Sequence, residues 1–376
     1  AIDDYLAGPG GYPLVVHGPS GCGKTALLTE AARRIAAVGG EPILRIVGAT
    51  SASTDVRSLL AGLCAELRAH QAIEGEPPTD YDELLAEFRN LLAATLEHTA
   101  PCVLLIDGLD QLSDAHHGRD LQWLPSDGWH PQVRIIVSCL SDRSEEDPAS
   151  APFRALGRRP LHAQAFLELG ALSAEDAKQL LERWLTIAGR TLSEQQWRYV
   201  GEKIAHDETC RQPLYLKLAF EELRHWTQTV APEQTDAPMQ LGDDTPTLVR
   251  NLVARLSNPV RHGKLLTTRL LSYLCCARHG LTEQEILGVL RADEEYFDKF
   301  RAGAFHDLPT EGEQPKLPVA VWARLRHDLE PYLSQRSSGG VSVLAFFHRQ
   351  VAEVLEARLL PSAAIRSERH RTLADY

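Results

Sequence analysis

Eight consecutive residues, 18–25 with the sequence GPSGCGKT, fit the phosphate-binding pattern G-x-x-x-x-G-K-[ST] without a mismatch. An apolar run at 14–16 precedes them and predicts a buried strand, and residues 25–38 predict a helix. Glycines let backbone N–H groups close around phosphate oxygens, and the N-terminus of the following helix adds its dipole. In this pattern the lysine reaches the β- and γ-phosphates and the threonine hydroxyl holds Mg²⁺. The sequence therefore predicts a site for a nucleoside di- or triphosphate with Mg²⁺. The residues predicted to contact it here are Gly18, Pro19, Ser20, Gly21, Cys22, Gly23, Lys24, Thr25 and Ala26.

Two later strands are predicted to complete this site. A P-loop requires an acidic residue at the end of a neighbouring strand, and Asp107 directly follows the apolar run 102–106. We expect Lys24 and Asp107 to be catalytic and Asp107 to hold Mg²⁺ together with Thr25. Asp110 is predicted to polarise the attacking water, although a solvated loop acid is an equal alternative. Ser138 follows the strand predicted at 133–137, where it is either a γ-phosphate contact or a turn residue.

Composition limits the class of protein. The chain has 376 residues, 44% of them hydrophobic and 24% charged, which is ordinary for a globular protein of two or three domains. The net charge of −12 argues against broad binding of DNA phosphates, which requires clustered Lys and Arg. Seven cysteines without C-x-x-C spacing favour a reducing, cytoplasmic location. The sequence shows no membrane span and no signal peptide, and because it lacks an initiator Met we expect a fragment of a longer chain.

Periodicity predicts three domains. Alternating strands and helices predict an α/β domain over 1–158, with a parallel sheet covered by helices on both faces. A small helical domain is predicted over 159–232, and residues 227–247, rich in proline, are predicted to be a linker. A winged-helix domain is predicted over 233–376 from helices followed by a turn and a short strand. The predicted strands are 43–47, 102–106, 133–137 and 341–346, and the predicted helices are 56–67, 81–96, 172–188, 194–205, 214–226, 265–276, 283–290, 321–329 and 348–359.

Several short motifs resemble those of NACHT domains. Residues 106–110, IDGLD, resemble the Walker B signature of that family, in which a small residue follows the first Asp. Residues 45–51 with 57–60, and 110–113 with 123–125, resemble the subgroup of NACHT proteins that carry WD repeats or TPRs. Residues 212–218, QPLYLKL, are similar to the proline motif of the helical domain. Residues 346–350, FFHRQ, with Glu353, are similar to the winged-helix motif whose histidine contacts the bound diphosphate.

This resemblance implies a STAND-type signalling ATPase with an AAA+-like P-loop domain, a helical domain and a winged helix closed over ADP. Pro213 would pack against the base or sugar of the adenine nucleotide, and His348 would donate a hydrogen bond to its β-phosphate. Exchange of ADP for ATP would open the molecule and lead to homo-oligomerisation. Effector and sensor or repeat domains would lie outside this fragment, and innate immune or anti-phage defence is the implied setting.

Two departures from the family pattern predict slow hydrolysis. Gln111 stands where many NACHT proteins have Glu, and an amide cannot act as a base. In addition, no Arg directly follows Ser138. Two other functions are alternatives: an ATPase with continuous turnover, or an ATP-dependent transcription regulator that binds DNA. The second is disfavoured because the predicted reading helix at 283–290 carries two acids and no basic residue.

Overall fold

The computed structural model describes residues 1–50, 52–94, 101–227, 240–303, 308, 310–311, 314–315, 317–338 and 340–376. These residues form two compact units, Ala1–Gly170 and Ala171–Tyr376. The division of the chain into three domains at 158 and 232 is finer than this and stays a prediction.

The first unit is built on a parallel five-stranded sheet with the order β2-β3-β4-β1-β5. Every residue of β3 and β4 is buried, as expected for strands that are covered on both faces. Leu104 and Ile106 face one hydrophobic cluster, whereas Val103 and Leu105 face the other. The predicted parallel sheet with helices on both sides is therefore confirmed. The strands are β1 Leu14–Gly18, β2 Pro42–Ile46, β3 Cys102–Asp107, β4 Val133–Leu140 and β5 Phe166–Glu168.

Five α-helices pack around this sheet in the described part of the first unit. Their starts follow local capping chemistry: the Asp55 carboxylate accepts the N–H of Ser58, and that of Asp80 accepts the N–H groups at the start of the next helix. The helix predicted to reach residue 96 ends at Ala93, and residues 95–100 lie outside the described residues. The helices are α1 Ile2–Ala7, α2 Lys24–Ala37, α3 Val56–His70, α4 Tyr81–Ala93 and α5 Ala151–Gly157.

Helix α1, which precedes the first strand, was not predicted from the sequence. Its Tyr5 hydroxyl donates to the backbone oxygens of Tyr12 at 2.7 Å and Ile135 at 3.0 Å, so one buried side chain ties the N-terminal segment to β4. Burial raises the pKa of Tyr5 to about 12. A helix of six residues carries too little apolar periodicity to be recognised from sequence.

The second unit is mainly helical, and all the helices predicted in it are present with shifts of a few residues at their ends. Ser193 and Thr282 form capping boxes with Gln196 and Glu285, which fixes the starts of two of them. One continuous hydrophobic cluster runs through this unit. Its helices are α6 Ala174–Ile187, α7 Glu194–His206, α8 Pro213–Leu223, α9 Thr245–Leu256, α10 Lys264–Cys276, α11 Glu283–Ala292, α12 Glu294–Ala302, α13 Val319–Leu329, α14 Arg349–Leu359 and α15 Ala363–Asp375.

Three of these helices, α9, α12 and α15, were not predicted. The first begins at Thr245 with Pro246 in its first turn, a position where proline is tolerated, so the predicted linker extends too far at its end. Helix α12 is short and strongly charged, and α15 is rich in charged residues and lacks an apolar stripe.

Short strands complete the second unit. Strands β8 Leu333–Ser338 and β9 Val341–Phe346 form an antiparallel hairpin, and Leu281 pairs with Leu344 of β9 through two backbone hydrogen bonds of 2.8 and 3.0 Å. Only β9 was predicted, because β8 is largely polar. A two-residue pair, β6 Thr310–Glu311 and β7 Gln314–Pro315, lies between α12 and α13. Among the described residues, no helix has the length and apolarity to cross a membrane.

Candidate nucleotide-binding site

The P-loop connects β1 to α2 at the carboxyl edge of the sheet. Gly21 and Gly23 have φ angles of 82° and 100°, in the left-handed region that glycine adopts without strain. Gly18 is required for a different reason: a Cβ there would lie 2.3 Å from the backbone oxygen of Leu169, just beyond β5. Gly23 is the N-cap of α2 and supplies no capping side chain, so the first N–H groups of the helix face the loop. This is the backbone geometry of an anion site.

Lys24 lies across its own loop. Its ammonium donates to the backbone oxygens of Gly18 at 2.9 Å and Pro19 at 2.8 Å, and the side chain is buried. The Cys22 sulfur lies 3.7 Å from the same ammonium, and burial raises the pKa of this thiol. The lysine charge is therefore held inside the loop, where phosphate oxygens would sit.

Three side chains from different elements meet at the end of β3. The Asp107 carboxylate accepts the Thr25 hydroxyl on Oδ2 at 2.6 Å and the Ser138 hydroxyl on Oδ1 at 2.5 Å. The Ser138 oxygen in turn accepts the N–H of Gly108 at 2.9 Å. Asp107 and Ser138 are 2% and 0% exposed. Strand β4 lies between β1 and β3, so the Ser138 hydrogen bond connects Asp107 on β3 to the central strand of the sheet.

These oxygen atoms fit a magnesium ion. A threonine hydroxyl and a carboxylate are hard oxygen donors of the kind Mg²⁺ prefers, and both lie beside the N-terminus of α2. The structure therefore brings together the two residues predicted to hold the metal.

The turn after β3 buries the next acid. Asp110 lies in a short 3₁₀ turn, Leu109–Gln111, and is 5% exposed. Burial and the negative charge of Asp110 raise the pKa of the Cys139 thiol to about 12, so Asp110 lies near β4. Gln111 packs against two glycines: a Cβ on Gly48 would be 2.1 Å from its Oε1, and one on Gly108 would be 2.9 Å from its Nε2. The roles of Asp110 and Gln111 in hydrolysis stay predictions.

The remaining two predicted residues belong to the second unit. Pro213 is the first residue of α8, where the missing N–H costs no hydrogen bond. His348 is the N-cap of α14, and its Nδ1 accepts the N–H of Gln350 at 3.1 Å. An acceptor at Nδ1 places the proton of the neutral ring on Nε2. Their contacts with a nucleotide stay predictions.

One residue in contact with the P-loop was not predicted from the sequence. The Asp142 carboxylate accepts the N–H of Ser20 at 3.4 Å. Because the pairing of β1 with β4 places the two following loops together, this contact could be found only once the strand order was known.

Sequence comparisons connect this geometry to known proteins. The AAA ATPase domain family matches residues 2–137. NACHT domain- and WD repeat-containing protein 1 from Homo sapiens is 33% identical over 97% of this chain, which spans 22% of that protein. NACHT and WD repeat domain-containing protein 2 from Mus musculus is 28% identical over 97% of this chain, which spans 20% of that protein. The resemblance to NACHT-domain P-loop NTPases is confirmed.

The NACHT likeness covers only part of each relative, since the chain spans about a fifth of the length of these curated proteins. Among solved structures, the Walker-type ATPase PABY2304 of Pyrococcus abyssi is 12% identical with a TM-score of 0.42, and the alignment covers 94% of this chain and 93% of that one. The parallel five-stranded sheet with its helices matches a P-loop AAA+ NTPase.

Proposed function

We propose that this chain is a nucleotide-dependent switch that binds ADP or ATP with Mg²⁺ at the P-loop. The observation that carries this proposal is the hydrogen-bonded series Thr25–Asp107–Ser138, which stands beside an intact P-loop at the carboxyl edge of the sheet. The series joins an anion site, a pair of metal-binding oxygens and the neighbouring strand. A glycine turn with a chance lysine would have no need of these buried partners.

Each residue of the loop has a role in this proposal. Lys24 exchanges the carbonyl oxygens of Gly18 and Pro19 for oxygens of the β- and γ-phosphates, and the amides of 21–26 surround the β-phosphate. Thr25 and Asp107 hold Mg²⁺, which when bound neutralises charge on the β- and γ-phosphates. Ser138 keeps the Asp107 carboxylate oriented, and it can contact a γ-phosphate only by giving up that bond.

We also propose that hydrolysis is slow. Gln111 has no basic oxygen and is packed between Gly48 and Gly108, so it is poorly placed to activate water. Asp110 is then the acid left to polarise a water, and its burial limits solvent access. A slow reaction suits a switch, because the state of the molecule lasts as long as its nucleotide.

The second unit supplies the proposed moving part, a winged helix. In favour of this assignment, helices α10, α11 and α13 precede the β8–β9 hairpin. Leu281, between α10 and α11, forms a single antiparallel bridge with Leu344 of β9, where the third strand of a winged helix would pair. His348 lies two residues after the end of β9, and the proton on its Nε2 can be donated to a β-phosphate while Nδ1 caps α14. Pro213, rigid at the start of α8, would pack against the base or sugar.

The switch requires that the two nucleotides bind its two states with different affinities, because a ligand with equal affinity for both shifts nothing. We propose that ADP favours a closed state through His348, and that ATP favours an open state that self-associates. Effector and sensor domains outside this fragment, and a role in innate immune or anti-phage defence, complete the proposal. WD repeats in the names of the relatives support the idea of an attached sensor.

Hydrogen exchange tests the switch. We expect peptides covering 341–359 to exchange more slowly with ADP than with a non-hydrolysable ATP analogue. His348→Asn keeps an acceptor for the cap of α14 but removes the Nε2 donor, so it should abolish this difference. The control is His327→Asn, which changes an exposed histidine on α13 and should preserve the difference. Equal exchange with both nucleotides in the wild-type chain would refute the switch, and rapid multiple turnover would favour a continuously acting ATPase.

A further inference from the structure

The loop that leaves β4 is attached to the beginning of the P-loop. Strands β1 and β4 pair in parallel with Gly18 opposite Leu140, so the residues that follow these strands leave the sheet side by side. Ser141 donates its N–H to the Gly18 oxygen at 3.4 Å, and its hydroxyl lies 3.2 Å from Nδ1 of His17. Two contacts therefore fix the first residue of this loop against the P-loop.

The next residue brings a negative charge to the phosphate site. Asp142 is exposed, and its Oδ2 accepts the N–H of Ser20 at 3.4 Å. The basic side chain that follows it, Arg143, lies 3.8 Å from Asp147. Burial lowers the pKa of His17, so that ring carries little positive charge near neutral pH. The contact that the described residues show for the Asp142 carboxylate is the one with the backbone N–H of Ser20.

The position of Asp142 decides which phosphate it affects. The amides of a P-loop surround the α- and β-phosphates, and the lysine reaches on toward the γ-phosphate. The terminal phosphate of a triphosphate extends toward the ends of the strands that carry the metal acid, here β3 with Asp107 and β4 with Ser138. Asp142 follows β4 and so lies on the side of the terminal phosphate.

We propose that Asp142 is a specificity-determining residue that repels the terminal phosphate and makes the site prefer a nucleoside diphosphate to a triphosphate. A triphosphate adds negative charge on the side where the carboxylate stands, and it competes with the carboxylate for the Ser20 amide. A diphosphate lacks the terminal phosphate, so it neither adds that charge nor competes for the Ser20 amide. The inference rests on the proposed binding of nucleotide at this P-loop, and it adds a reason for the diphosphate state to persist.

The test compares the affinities of the 376-residue chain for MgADP and a non-hydrolysable MgATP analogue by equilibrium titration. Asp142→Asn keeps an oxygen acceptor for the Ser20 amide but removes the charge. At low ionic strength we expect it to raise affinity for the triphosphate by about 3- to 10-fold relative to the diphosphate, which is the size of one charge–charge repulsion in a partly solvated site. High salt should reduce this change because the carboxylate is exposed.

Two further variants separate charge from loop structure. Glu146→Gln removes an exposed charge from the same loop and should leave the ratio of the two affinities unchanged. Asp142→Ala removes both the charge and the acceptor. If the charge acts, Asp142→Ala should change the ratio of the two affinities as much as Asp142→Asn does. If the side chain only anchors the loop, Asp142→Asn should have the wild-type ratio, which would overturn the inference. If the wild type binds both nucleotides and the ratio does not change, this inference alone fails. If the wild type binds neither, the proposed function fails with it.

Discussion

Removing the Ser138 hydroxyl should destabilise the sheet far more than removing a serine hydroxyl that makes a single hydrogen bond. This hydroxyl donates to the Asp107 carboxylate at 2.5 Å and accepts the N–H of Gly108 at 2.9 Å, and all three residues are buried. A hydrogen bond to a charged group contributes about 1.5–3 kcal/mol, and a buried donor left without a partner costs about 1–3 kcal/mol. Allowing for partial relaxation, we expect Ser138→Ala to lower the free energy of unfolding of the first unit by about 3 kcal/mol.

The matched control for this prediction is Ser150→Ala. Ser150 is also buried, but its hydroxyl donates to a single backbone oxygen, that of Asp147, at 2.8 Å. Its loss should cost about 1 kcal/mol. Because a chain with two compact units need not unfold in one step, the assay is native-state hydrogen exchange of peptides that cover β3 and β4. Equal losses in the two variants would refute the idea that Ser138 holds the acid in place.

Three further predictions concern other parts of the chain. Gly48→Ala should lower the melting temperature more than Gly39→Ala, although both glycines have φ near +80°, because only at Gly48 would the new Cβ meet a neighbouring side chain. Arg255→Met should cost the second unit about 3–5 kcal/mol in a denaturant titration, because it leaves the buried Glu222 carboxylate, 2.8 Å away, without its partner. The pKa of His225 is lowered to about 4, so the unfolded chain binds its proton more readily and the second unit should lose stability as the pH falls from about 6.5 to 4. The ring is partly exposed and screened by solvent, so we expect this loss to be about 1 kcal/mol in pH-dependent melts.

Each of these has a control or a contradicting result. Equal melting temperatures for the two glycine variants would exclude the close contact at Gly48. For the buried ion pair, the control is Arg224→Met, which removes a largely exposed partner of Glu221 and should cost at most about 1 kcal/mol. For the pH dependence, a His225→Gln variant that loses stability in acid to the same extent as the wild type would show that another group titrates.

The sequence predicted much of the fold because its strongest signals are local. Fully apolar runs predicted β3 and β4, and the periodicity of apolar residues predicted helices such as α7 and α11. Elements without such signals were missed: the short α1, the polar strand β8 and the charged helix α15. Their stability comes from tertiary contacts, such as the Tyr5 hydroxyl on β4, which a local pattern does not contain.

The site divides in the same way. The phosphate-binding loop and Asp107 could be predicted because motif and strand are contiguous in the sequence. The bond from Asp107 to Ser138 and the contact of Asp142 with Ser20 depend on strand order, since β4 lies between β1 and β3. The spacing of residues along the chain does not give the strand order. The contact of Asp107 with Ser138 and that of Asp142 with the P-loop could therefore be found only from the structure.

The central claim, that the P-loop holds an adenine nucleotide, is tested most directly by the nucleotide that the purified chain carries. Denaturing the protein and separating the released material by chromatography should yield close to one ADP per chain, with Lys24→Ala releasing none. Lys24 is the residue to change because its ammonium already lies against the loop oxygens that phosphate would replace. A wild-type chain that releases no nucleotide, and that binds neither ADP nor ATP when they are added with Mg²⁺, would contradict nucleotide binding at this P-loop.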